Sequence, residues 1–177
     1  MPINRQKVKM HTFNLSTIVK PAEIQQYFRK NKIKAYAYEY IFGRHVLKYG
    51  RSSKSWKETA LGERVCRQAQ NIPLGWPGKI NNRSSSGKDF RDICDDFENV
   101  HGIKVDKNQV SLIVYDVTNY PCISIRDPES YAKEMEAELI QDYVNINGVR
   151  PIGNLKDETC NIPSVDDDAW KSAGFDV

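Results

Sequence analysis

The chain is short of histidine, of paired cysteine and of long apolar runs. Its four cysteines, Cys66, Cys94, Cys122 and Cys160, stand far apart in 177 residues. That spacing excludes the close Cys pairs of a zinc site and gives no basis for a disulfide framework, so free, partly buried thiols are expected. With only three histidines, all elsewhere in the sequence, a cysteine nucleophile has no support. No run approaches the roughly eighteen apolar residues of a membrane span. The segment Met1-Pro2-Ile3-Asn4-Arg5-Gln6-Lys7 lacks the apolar core of a signal peptide. A cytoplasmic, intracellular protein without membrane association is expected. There is no internal repeat.

Net charge is also small, at +3, but unevenly spread. Residues 157–177 hold six acids and the single lysine Lys171, so this tail carries −5 and residues 1–156 carry +8. A basic body suits a polyanionic partner, and an ordinary soluble surface carries such an excess as well. With 40% hydrophobic and 28% charged residues, the composition is that of one globular domain with additions.

Proline at the first turn and the stripe Ile24, Tyr27, Phe28 predict a short helix over residues 21–30. Two alternating aromatic and apolar runs around Gly43 predict a β-hairpin over residues 36–50. A helical pattern follows Arg51-Ser52-Ser53-Lys54-Ser55 through Trp56, Leu61, Val65 and Ala69, with Gly62 in its middle. Residues 71–88 are rich in Pro, Gly, Asn and Ser and read as a loop. Phe90, Ile93, Cys94 and Phe97 then stand at helical spacing before Gly102. Residues 110–117 are strongly β-prone. Asp127-Pro128-Glu129 opens the longest helix, which ends near Asn147-Gly148, and the acidic tail has no clear periodicity.

The hairpin carries chemistry on one face. With the turn centred on Gly43, Tyr38 lies opposite Lys48, with Cβ atoms roughly 4.5–5.5 Å apart, where an ammonium favours the phenolate. Tyr36, Tyr38 and Tyr40 share that face, which is also the pattern of core packing. On the long helix, Glu136 precedes Leu139 and Ile140 by three and four residues and lies beside the apolar stripe, whereas Glu138 and Asp142 look outward. A carboxylate at such an edge suits Mg²⁺, and a glutamate on a charged surface is the alternative. Arg64, with Arg67 as its competitor, presents a planar fork to a phosphate or stands solvated on its helix. His45, at the turn, and His101, near a helix end, read as surface residues.

Taken in order, these elements resemble the GIY-YIG nuclease family. The first motif is Ala37-Tyr38-Glu39-Tyr40 and the second Lys48-Tyr49-Gly50, followed by Arg51-Ser52-Ser53. Lys48 replaces the family's second tyrosine, as in some members that resemble restriction enzymes. Leu61-Gly62-Glu63-Arg64-Val65 is similar to the family's helix motif and favours Arg64 over Arg67. Glu136-Ala137-Glu138-Leu139-Ile140 is similar to its metal-binding helix. Pro151-Ile152-Gly153-Asn154 is similar to the segment that closes the family core and places Asn154 near the site. The resemblance covers residues 35–70 and 110–155.

It implies a small α/β fold, with a three-stranded, mainly antiparallel sheet flanked by helices. Residues 1–34 would be an N-terminal extension with a short helix, 35–155 the nuclease domain with an insertion at 71–109, and 156–177 an acidic tail. It further implies a metal-dependent DNA endonuclease, phage-encoded or restriction-type, using Mg²⁺ or Mn²⁺. Glu136 would hold the metal, Arg64 would neutralise phosphoryl charge, and Tyr38 with Lys48 would accept a proton from water or orient it. Tyr49, Gly50 and Asn154 would support the site, and Arg51, Arg67, Lys79, Arg83 and Lys88 would contact double-stranded DNA. Whether it acts as monomer or homodimer is open. A repair or mobile-element nicking enzyme of the same family, and a non-catalytic nucleic-acid binder, are the competing readings.

Overall fold

The chain forms four strands, β1 (Lys9–Asn14), β2 (Tyr36–Phe42), β3 (His45–Arg51) and β4 (Val110–Asp116), of which β1 and β4 alternate between buried and more exposed residues. The computed structural model describes residues 3–20, 22–51, 62, 65, 66, 69, 90–120 and 128–154. Every strand pairing is antiparallel, and the sheet order is β1-β4-β2-β3. Among the described residues three α-helices flank this sheet: α1 (Ala22–Lys30), α2 (Phe90–His101) and α3 (Pro128–Asn147). The class is α/β, as expected, but the sheet has four strands instead of three. The difference lies in residues 9–14, where His11 and Phe13 point inward between exposed neighbours and add an edge strand to β4.

The remaining elements form for local reasons. The Glu23 carboxylate accepts the Lys20 N–H at 3.2 Å, one half of a capping box that opens α1. That helix closes with Ile33 N–H on Phe28 O and Lys32 N–H on Arg29 O, the bonds of a Schellman cap. Gly102 ends α2 and Gly148 ends α3, each donating its N–H back to the carbonyl four residues earlier.

Strand β2 is buried along nearly its whole length. Tyr36, Tyr38, Tyr40 and Phe42 join one core with Ile24 and Phe28 of α1, Ile93 and Phe97 of α2, and Val65 and Ala69. Ala37 belongs to a second core on the opposite face, with Ile3, Val8, Tyr49 and α3 residues Tyr131, Met135, Leu139 and Ile140. Helix α3 therefore covers one face of the sheet, and α1 and α2 cover the other. Cys66 and Cys94 are buried thiols outside any disulfide. No helix among the described residues is long and apolar enough to cross a membrane.

The tyrosines of β2 form a ladder. Ring centroids are 4.8 Å apart for Phe28–Tyr36, 6.2 Å for Tyr36–Tyr38, 5.8 Å for Tyr38–Tyr40 and 4.7 Å for Tyr40–Phe90. Each such pair adds about 0.5–1.5 kcal/mol beyond area burial. The Tyr40 hydroxyl donates to the Val65 carbonyl at 2.8 Å. Burial and the neighbouring Tyr38 and Tyr36 push the Tyr40 phenol well above its ordinary value.

The hairpin register differs from the expected one. Gly43 (φ +59°) takes the first turn position, where a type II′ hairpin needs glycine, and Phe42 pairs with His45. A bulge between Tyr40 and Ile41 then leaves Leu47 without a Cα partner, so Tyr40 lies opposite Lys48 and Tyr38 opposite Gly50. Tyr38 and Lys48 still share a face, but diagonally. The Tyr38 ring fills the space that a Cβ at Gly50 would need, colliding with its Cζ and Oη. Gly50→Ala is expected to lower stability by about 1–3 kcal/mol through overpacking. In a urea double-mutant cycle the penalty should shrink in a Tyr38→Leu background.

Candidate active site

Strand β3 is an edge strand, and an uncovered edge exposes unpaired backbone groups. Residues 151–154 cover it. Gly153 N–H donates to the carbonyl of the bulged Leu47 at 2.8 Å. Asn154 then imitates a strand: its Oδ1 accepts the Tyr49 N–H at 2.9 Å and its Nδ2 donates to the Tyr49 carbonyl at 3.0 Å. A Cβ at Gly153 would lie 2.6 Å from Leu47 O and 2.9 Å from Lys48 Cβ, which shows how tightly the two segments meet. Asn154 is thus bound to the backbone beside Gly50.

At the end of β3, consecutive residues face opposite ways. Gly50 lies under the Tyr38 ring on the tyrosine face. Arg51, opposite Ala37, faces α3 and donates from Nη1 to Glu136 Oε2 at 2.9 Å. The side chains are 26% and 11% exposed, so the pair is partly desolvated yet reachable from solvent. Tyr38 and Lys48 therefore lie on one face of the sheet and Arg51 and Glu136 on the other. Lys48 is buried, unlike most strand lysines. Arg64, Arg67, Lys79, Arg83 and Lys88 lie outside the described residues, as do Trp76 and the acidic tail.

A second polar group lies on the α3 face of the sheet. Glu39, buried between aromatic neighbours, accepts the Tyr115 hydroxyl at 2.5 Å and a further hydrogen bond from Tyr49. Burial raises the Glu39 carboxyl pKa, and the two phenols and Arg5 only partly oppose that rise. Burial and the Glu39 charge in turn push the phenols of Tyr49 and Tyr115 up. Tyr49 also packs edge-on to Tyr143, with centroids 6.2 Å apart.

Glu138, expected to look outward, is buried. It accepts the Ile3 N–H at 2.6 Å and faces Arg5 Nε at 3.7 Å, while Arg5 Nη2 reaches Asp142 at 2.5 Å. The correction has a geometric cause. Residues 3–8 fold over α3 and cover a helix face that periodicity alone leaves to solvent. Burial raises the Glu138 pKa as well. The His45 and His101 rings lie tilted to one another near the hairpin tip, centroids 5.0 Å apart, and the His45 pKa is lowered by burial and then by His101 and Arg44.

The divalent ion that the family resemblance implies needs hard oxygen ligands. Mg²⁺ binds through one or two carboxylates and completes its shell with water and substrate phosphate. No group of three or more metal-ligating side chains occurs among the described residues. Glu136 of α3, buried beside the end of β3 with its side chain 11% exposed, would be a single carboxylate ligand, the sparse kind of site that a phosphate substrate completes. Compared with known proteins, the chain matches no family model, no curated protein and no solved structure.

The buried carboxylates make stability pH-dependent in a defined direction. Folding raises the pKa of Glu39 above its ordinary 4.5, so the folded state binds this proton more tightly than the unfolded chain does. The stabilisation is present below that value and is lost as pH rises through the raised one. Glu39→Gln should therefore gain stability relative to wild type between acid and neutral pH, measured by urea unfolding across that range. Asn154→Ala, which leaves both polar groups of Tyr49 without their side-chain partner, should cost about 1–3 kcal/mol in the same assay.

Proposed function

We propose that this protein is a metal-dependent endonuclease that hydrolyses phosphodiester bonds in double-stranded DNA, acting at the end of strand β3 in the manner of GIY-YIG nucleases. The observation that carries this reading is the Arg51–Glu136 pair at 2.9 Å, one residue beyond a glycine covered by Tyr38. Segments far apart in the sequence and separately similar to that family's motifs supply these groups. The acidic and basic members are the types that a metal–phosphate complex requires.

Glu136 would hold Mg²⁺ or Mn²⁺, and the ion, when bound, supplies positive charge to the scissile phosphate and the leaving oxygen. Arg51 would exchange the Glu136 carboxylate for a phosphate oxygen, since a guanidinium fork suits either anion. Arg64, assigned from its motif, would neutralise charge developing on the phosphoryl group. Tyr38, given by its motif the role of orienting the attacking water or taking its proton, is buried on the face opposite Glu136, with Lys48 diagonal to it. The +8 charge of residues 1–156 supports a polyanionic substrate.

Plasmid DNA incubated with Mg²⁺ should be cut by the wild type and left intact with EDTA. Glu136→Gln and Arg64→Ala should each lower cleavage by about 10²-fold or more while retaining DNA binding. Normal cutting by both variants, or none by the wild type, would remove the assignment and leave Arg51–Glu136 as a structural ion pair. The pair also predicts a binding result. Arg51→Gln removes the guanidinium from the Glu136 carboxylate and should raise Mn²⁺ affinity without DNA by about fivefold or more, read by electron paramagnetic resonance, and Glu136→Gln should abolish binding.

A further inference from the structure

The opposite edge of the sheet holds a second constellation of titratable side chains. His11 on β1 is 4% exposed. Its Nδ1 lies 2.8 Å from Tyr27 Oη and its Nε2 lies 3.2 Å from Asp116 Oδ2. The other oxygen of Asp116 accepts the Thr118 N–H at 3.0 Å, which fixes the carboxylate from its far side. Tyr27, on α1, is 38% exposed. Its ring meets His11 and Phe13 edge-on at 5.4 and 4.9 Å.

The hydrogen bonds assign the protons. An ionised carboxylate only accepts, so the imidazole proton belongs on Nε2, facing Asp116. Neutral His11 then turns its Nδ1 lone pair to Tyr27, whose hydroxyl donates to it. A buried His–Asp pair is a weak source of stability, because desolvation offsets most of its Coulombic gain. What the arrangement does provide is the hydroxyl of an exposed residue held on a base that a third group orients, the order of parts that activates a nucleophile. The two rings against the phenol carry no charge in this state, a lining suited to a neutral donor more than to a phosphoryl group.

We propose that Tyr27, His11 and Asp116 form a reactive site separate from the one at the end of β3, in which the Tyr27 phenol accepts an acyl group from an activated ester. Tyr27 Oη forms a bond to the carbonyl carbon while its proton passes to His11 Nδ1, and Asp116 holds the imidazolium. The ester C–O bond breaks, and the leaving oxygen takes the proton from Nδ1. The products are O-acyl Tyr27 and the free alcohol, with His11 returned to its neutral form.

The test uses p-nitrophenyl acetate at neutral pH, with N-acetyltyrosinamide as a free-phenol reference in the same solution and acetylated residues mapped by peptide mass spectrometry. Tyr27 should acetylate about a hundredfold faster than the free phenol, within the range that general-base assistance supplies. His11→Gln and Asp116→Asn, checked for folding by circular dichroism, should each lose at least tenfold of that rate. Wild-type Tyr27 reacting no faster than the free phenol, or acetyl groups on lysines alone, overturns the proposal whether or not the variants fold. An unchanged Tyr27 rate in folded His11→Gln overturns it as well.

Discussion

Burial of β2 on both faces is the constraint on which the rest of this structure depends. A strand so enclosed must have every backbone group paired and every side chain packed. It is hydrogen-bonded to β3 on one side and β4 on the other, and it stacks Tyr36, Tyr38 and Tyr40 into a single aromatic row. The large rings then dictate their neighbours. Tyr38 leaves no room for a side chain at position 50, and Tyr40 sends its hydroxyl to the Val65 carbonyl, tying the following helical residues to the sheet.

The same strand distributes charge. Its one charged residue, Glu39, is enclosed because α3 covers the second face, and two phenols from β3 and β4 supply the hydrogen bonds that an interior carboxylate requires. The polar groups of Glu39, Glu138 and Asp116 bind the sheet to its surroundings from inside. Glu136 sits where α3 passes the end of β3, and its partner Arg51 is a quarter exposed. The bulge at Leu47 and the strand-like pairing of Asn154 hold that end of β3 in position without a fifth strand.

Much of this architecture was legible in local patterns. The stripe Ile24 and Phe28, the spacing Phe90, Ile93, Cys94, Phe97 and the opening Pro128 predict helices that exist within a residue or two of their expected ends. Gly43 marks the hairpin. Three features were not legible. The bulge shifts the pairing of Lys48 from Tyr38 to Tyr40, and nothing in the residue types near Leu47 announces it. Strand β1 is short, and only β4 makes it a strand. The interior place of Glu138 depends on residues 3–8, more than a hundred positions away.

The sequence by itself determined the periodicities, and with them the identity of the elements and which face of each is apolar, because side-chain direction along a helix or strand follows from backbone geometry alone. It also determined the order of the groups that carry charge. Only the tertiary structure decided which of those groups meet. Arg51 reaches Glu136 across 85 positions, Asn154 reaches Tyr49 across 105, and His11 reaches Asp116 across 105. Such contacts depend on sheet register and layer packing, which are set by the summed burial of the whole chain and not by any local stretch of it.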